Sequence, residues 1–206
     1  MSAPPPNRYD KHYAYTALFP VAGKEGGGPL RVYLNGLDAH RFGSPFSGSK
    51  IIHLLRFIVI DRLPYEAYPN RLEGLGSPYL VMMCDFDGKD VTELADSLAA
   101  DAADAVCDVF GRCVAFPITS PRELATKDGK DKLADYLRKG QVETVLYLSD
   151  QPGATVEDIL RSIPAQAAFA DFVANYPNVA PKLLKQKFFE LWDRLEADTT
   201  PPPGSL

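Results

Sequence analysis

The chain has 206 residues, 46% apolar and 24% charged, the composition of one globular domain or of one domain with an extension. Lys and Arg number 22 against 27 Asp and Glu, so the net charge of −5 has the wrong sign for a surface that neutralises many phosphates, and no nucleic-acid partner is expected. Three cysteines, Cys84, Cys107 and Cys113, form no C-x-x-C pair for zinc or thiol exchange and read as reduced, mostly buried thiols.

Residues 1–8 lack the apolar core of a signal peptide, and the longest strongly apolar stretch, 51–60, is interrupted by His53 and Arg56; a cytoplasmic protein without a membrane partner is expected. Proline clusters at both ends, 4–6 and 201–203, predict frayed tails over 1–9 and 199–206. Between them the first strand spans 13–21, rich in aromatic and β-forming residues and closed by Pro20 and Gly23. The glycine run 26–28 reads as a flexible connection. Pro29 opens a short helix carrying Leu30, Val32, Tyr33 and Leu37. After a loop over 38–49, the run IIHLLRFIVID (51–61) is too short and too β-branched for a buried helix and reads as a strand.

An irregular connection over 62–77, with Pro64, Pro69, Gly74 and Gly76, leads to a third strand over 79–86. Asp90 and Glu93 cap a long helix whose Val91, Leu94, Leu98, Ala102, Ala105 and Val109 recur at helical spacing up to Gly111. Ser120, Pro121 and Glu123 open another helix that runs to about Lys139 and stops at Gly140. A fourth strand is predicted over 142–149, VETVLYLS. Thr155 and Asp158 then cap a helix interrupted at Pro164 and resumed over 165–176, and Pro181 starts the last helix, burying Leu184, Phe188, Leu191, Trp192 and Leu195.

With one helix set aside as an insertion, the order is strand, helix, strand, strand, helix, strand. That is an α+β chain, a ferredoxin-like βαββαβ sandwich with an antiparallel sheet over 10–150, followed by an extra C-terminal helical extension over 151–198. A sheet covered on one face alternates apolar with polar residues. Here Ile52, Leu54, Ile58 and Ile60 stand opposite Leu55, Phe57 and Val59, and both sets are apolar. The second face must therefore be covered by the C-terminal helices, by a second subunit or by a ligand.

A ferredoxin-like chain with an apolar second sheet face resembles the dimeric α+β barrel superfamily, in which two such sheets pack face to face around a pocket. The stretch from HLLRFIVID through YLVMMCDFDG to FGRCVAFP also resembles an uncharacterised bacterial group of this build. The resemblance implies a homodimer and a pocket for a small molecule. It does not extend to the haem branch: Cys84-Asp85-Phe86-Asp87-Gly88 has cysteine where a G-x-x-D-G motif needs glycine, and all three histidines, His12, His40 and His53, precede residue 54. No cofactor is expected.

Individual residues carry two readings each. His53 in the most apolar strand is either a satisfied structural histidine or the catalytic acid or base of a pocket. Arg56, three residues on, falls on the opposite face of a regular strand unless a bulge intervenes, and either pairs with Asp85 or orients a ligand oxygen. Tyr65 and Tyr68 occupy a connection that can fold over a pocket mouth. Asp85, Asp87, Asp90 and Glu93 lack the spacing of a calcium loop, and turn and cap duties account for Asp87 and Asp90, so no metal is expected. Ser47 and Lys50 spell S-x-x-K, but ahead of a strand and without partner motifs. The resulting expectation is a protein that binds a small organic ligand on an apolar sheet face, with His53 catalytic and Arg56, Tyr65, Tyr68 and Asp85 as ligand contacts. The alternative is a non-catalytic assembly module that uses the same face to oligomerise.

Overall fold

The computed structural model describes residues 7–23, 27–37, 43–63, 73–149 and 153–197. It is an α+β fold built on a four-stranded antiparallel sheet: β1 (Arg8–Tyr9), β2 (His12–Pro20), β3 (Ile52–Leu63) and β4 (Glu73–Asp87), in the order β1-β2-β4-β3. β1 draws part of the expected amino-terminal tail into the sheet, with Asn7 buried beside it. β4 runs longer than its apolar core, because Arg62 pairs with Gly74 and Leu63 with Glu73 and so extends the β3–β4 hairpin into the expected connection.

Strand parity sets the two faces. Tyr13, Tyr15, Ala17 and Phe19 of β2 pair with Phe86, Cys84, Met82 and Leu80 of β4, and Leu55, Phe57 and Val59 of β3 complete this first face. It is covered by α1 (Gly27–Gly36), α2 (Val91–Asp101), α3 (Ala103–Phe110), α4 (Pro121–Leu124) and α5 (Lys127–Gly140), whose Leu30, Leu94, Leu98, Val106, Phe110, Leu124, Leu133 and Leu137 are fully buried in one core. The Tyr15 hydroxyl donates to the Leu137 carbonyl at 2.8 Å, satisfying the buried phenol and pinning α5 to the sheet.

The caps form largely where the sequence places them. Asp90 accepts from the Thr92 amide, Ser120 from that of Glu123, and Thr155 and Asp158 make a reciprocal capping box. Two expected helices are divided. The long one breaks at Ala102, and nothing in the side-chain contacts there explains it. The next breaks at Ala125, because the Thr126 side chain caps a new helix by accepting from the Gly129 amide at 3.0 Å. Gly129 is needed there, since a Cβ would overlap the Glu123 carbonyl oxygen. Alanine in a helix interior normally gains about 1 kcal/mol over glycine. Gly129→Ala is expected to reverse that sign and lose about 1–3 kcal/mol through overpacking, read from urea unfolding midpoints; a gain in stability would disprove the close approach.

The predicted fourth strand over 142–149 is not formed. Arg8 and Tyr9 already pair with Tyr13 and His12 on the outer edge of β2, and the Ala14 amide donates to the Asn7 carbonyl. The later segment keeps one bridge, Gln141 to Ala17, and one bond from the Val142 amide to the Thr16 carbonyl, before the Thr144 amide turns to the Asn7 side chain. Val145, Leu146 and Leu148 are left 95%, 74% and 71% exposed. Further along β2, the Val114 amide reaches the Pro20 carbonyl and Val21 bridges Cys113.

Two helices follow, α6 (Val156–Asn175) and α7 (Pro181–Ala197), packed on each other. α6 is continuous through Pro164, where an interruption is expected, and Trp192 is exposed rather than buried. Phe188 sits between Phe169 and Phe172 of α6, with ring centroids 5.9 and 6.2 Å apart. The first turn of α6 reaches the sheet, where Val156 is buried and its amide donates to Asp87. Among the described residues no helix is long and apolar enough to cross a membrane.

Candidate functional site

The second sheet face carries Ala14, Thr16 and Leu18 of β2, Tyr79, Val81, Met83 and Asp85 of β4, and Leu54, Arg56, Ile58 and Ile60 of β3. Its apolar character gives way at one end. There β2 begins with His12, β4 ends with Asp85 and Asp87, and β3 enters with His53.

His53 belongs to this face because the β3–β4 register shifts between Ile52 and Leu54. A bulge inserts one unpaired residue and re-aims its side chain. His53 is that residue, and its Nε2 lies 2.8 Å from Asp87 Oδ1. The bulge thus brings His53 and Arg56 to one face, which a regular strand forbids.

His12, registered opposite Asp87 on β2, is buried with its ring centroid 4.5 Å from that of His53. Its Nε2 stands 2.8 Å from the Ala154 carbonyl oxygen and 3.5 Å from Asp87 Oδ1, and its Nδ1 stands 3.0 Å from Ser149 Oγ. A carbonyl only accepts, so Nε2 carries the proton, and Nδ1 of the neutral ring accepts from the serine hydroxyl. The same logic gives His53 a protonated Nε2, donating to the carboxylate, and a bare Nδ1 with no hydrogen-bond partner among the described residues. Asp87 Oδ2 accepts from the Val156 amide at 2.7 Å, at the start of α6. One carboxylate therefore ties His53 to the helix that follows the sheet, with His12 beside it.

His12, His53, Asp85, Tyr147, Ser149, Ala154 and Ile159 line a cleft of about 350 Å³. Burial pushes the Asp85 carboxyl up from its usual range, with His53 and His12 partly opposing it. Burial, with Asp85 and Asp87 adding to it, pushes the Tyr147 phenol up to about 12. A larger depression of about 410 Å³ lies between β2 and α5, lined by Leu18, Phe19, Lys132, Tyr136 and Lys139 among others. Its lysines and aspartate do not converge with histidines or buried carboxylates, so the smaller cleft holds the richer chemistry.

Of the residues singled out from the sequence, His53 and Asp85 line the cleft. Arg56 lies on the same face but outside it; it is exposed and registered opposite Met83, and the expected pairing with Asp85 is not made. Tyr65 and Tyr68 lie outside the described residues. His12, Asp87, Tyr147 and Ser149 are the members that sequence reasoning missed. The antiparallel register of β2 against β4 places His12 beside Asp87, and the element order alone does not give that register.

The cluster has the composition of either a proton-transfer site or a metal centre. His12, His53 and Asp87 each present one donor atom, all within 4.8 Å of one another. Comparison of the chain with protein-family models, with curated proteins and with solved structures finds no match to any of them.

Proposed function

We propose that the chain binds a small organic molecule in the cleft at the histidine end of the second sheet face, and that a second copy of the chain completes this face. The observation that carries the first part is the convergence of His12, His53, Asp85 and Tyr147 on one cleft of about 350 Å³ at the end of an otherwise apolar face. Small-molecule sites set a few polar groups in such concave surroundings. In this reading Asp87 holds the Nε2–H of His53, so Nδ1 is the atom that gives or takes a proton at the ligand. Asp85 and Tyr147 receive its polar groups. The net charge of −5 favours such a partner over nucleic acid.

The second part rests on Leu18 and Leu54, 41% and 54% exposed on that face. β2, β4 and β3 follow the 1-3-2 order of a βαββαβ sandwich, and Gln141 bridges Ala17 where its last strand would lie. On that basis we read the fold as ferredoxin-like, with its last strand reduced to one bridge, and as similar to the dimeric α+β barrels. The same exposed leucines favour the second reading, an assembly module with no ligand.

Mass spectrometry of the freshly purified protein under non-denaturing conditions tests both. A dimer with added small-molecule mass, lost on His53→Gln substitution while the melting temperature moves by no more than a few degrees, is the expected result. A dimer of bare chains leaves the assembly reading alone, and a bare monomer overturns both.

A further inference from the structure

We propose that His12, His53 and Asp87 hold one divalent transition-metal ion, of the zinc or iron(II) kind, with its open positions facing the cleft. The proposal deepens the reading of the cleft as the binding site and rests on it only for what the ion would do there.

Donor atoms bound to a common ion at about 2.0–2.2 Å stand about 3–3.5 Å apart. Asp87 Oδ1 lies 2.8 Å from His53 Nε2 and 3.5 Å from His12 Nε2, close to that spacing, and the three donor atoms all lie within 4.8 Å of one another. They come from three strands of one rigid sheet, β2, β3 and β4, and the bulge at His53 is what brings the third into place.

Two of the three ligands also have the outer partners of a metal ligand set. A ligating histidine normally engages its other ring nitrogen, and a ligating carboxylate its other oxygen. His12 Nδ1 meets Ser149 Oγ at 3.0 Å, and Asp87 Oδ2 accepts from the Val156 amide at 2.7 Å. These contacts leave His12 Nε2 and Asp87 Oδ1, 3.5 Å apart, as the remaining donors. An ion on His12 Nε2 moves the proton that this atom gives the Ala154 carbonyl to Nδ1, which then donates to Ser149 Oγ, and one on His53 Nε2 moves the proton given to Asp87 to Nδ1. Two imidazoles and one carboxylate suit zinc, iron(II), cobalt or nickel, whereas magnesium and calcium prefer oxygen cages. With the ion on Nε2 the single ring proton of His53 sits on Nδ1, which then serves the ligand as a hydrogen-bond donor, not as a base.

The test uses the full chain, stripped by a chelator and titrated with zinc(II) against a chromophoric competitor. One equivalent bound per chain is expected, with affinity falling at least tenfold in His12→Gln, in His53→Gln and in Asp87→Asn, and unchanged in Asp90→Asn, which alters only the cap of α2. Should a variant fail to fold, imidazole NMR of the unaltered chain decides: one equivalent must shift the ring signals of His12 and His53 and leave those of His40. Absence of stoichiometric binding, or binding that moves His40 alone, overturns the proposal. Because no organic ligand enters the titration, that failure is separate from failure of the ligand reading, which the native mass reports.

Discussion

Phe110→Ala is expected to lower the unfolding free energy by about 3–5 kcal/mol, the largest loss of any single change considered for this fold. Phe110 is fully buried at the end of α3, and its ring meets Phe19 edge-on at 5.2 Å, Phe57 at 6.3 Å, Phe116 at 5.9 Å and Tyr136 at 6.0 Å. Those partners belong to β2, β3, the segment after α3, and α5. Truncation removes apolar burial and leaves a cavity whose walls are fixed by four separate elements, so little collapse can offset it. For a chain of this size the corresponding fall in melting temperature is roughly 6–20 °C. Val173→Ala on exposed α6 is the matched control and should stay within about 0.5 kcal/mol. Equal losses from the two would mean that α3 does not pack as described.

Asp87→Ala should act locally as well as globally. It strands the Nε2–H of His53 and the amide of Val156, each at about 1–3 kcal/mol when buried without a partner. The sheet beneath keeps its core, since Asp87 lies on the face away from it. Loss should therefore concentrate at the start of α6, which this carboxylate, the His12–Ala154 contact, the bond from Lys11 to Gly153 and the Lys11–Asp158 ion pair join to the sheet. Hydrogen exchange reads it directly: the Val156 amide should lose its protection while amides of β2 and β4 keep theirs. Retained protection at Val156, with an unchanged melting temperature, would show that the carboxylate does not anchor the helix.

Much of the framework is legible in the sequence because its signals are local. Apolar runs mark β3, which is rich in β-branched residues, and β4, and Asp90, Ser120 and Thr155 mark helix starts through their own side chains. What local signals miss is competition. Residues 142–149 alternate as a strand should, yet the edge of β2 they would occupy is partly taken by residues 7–9, far away in the chain. Thr126, an ordinary residue inside an expected helix, becomes a cap because Gly129 lets the chain approach Glu123.

The site is legible by half for a similar reason. His53 and Asp85 draw notice as polar residues in apolar strands, while strand parity separates His53 from Arg56. A one-residue bulge cancels that parity, and bulges follow from pairing geometry rather than from composition. Asp87 reads as a turn residue because its partners, His12 and the amide of Val156, are 75 and 69 positions away. Sequence patterning does not carry such distances; the register of β2 against β4 does.

The outer edge of β2 is shared among pieces from three distant stretches, Asn7 to Tyr9, Gln141 with Val142, and Cys113 with Val114. None is long enough to present a continuous ladder of free amides and carbonyls to another molecule, so this side of the sheet is closed to templated growth. The opposite edge belongs to β3, where Arg31 of α1 reaches the Val59 carbonyl. Among the described residues, misassembly by strand addition thus has one direction open, outward from β3, against a strand bent by its bulge and carrying His53, Arg56, Asp61 and Arg62 as deterrent polar groups.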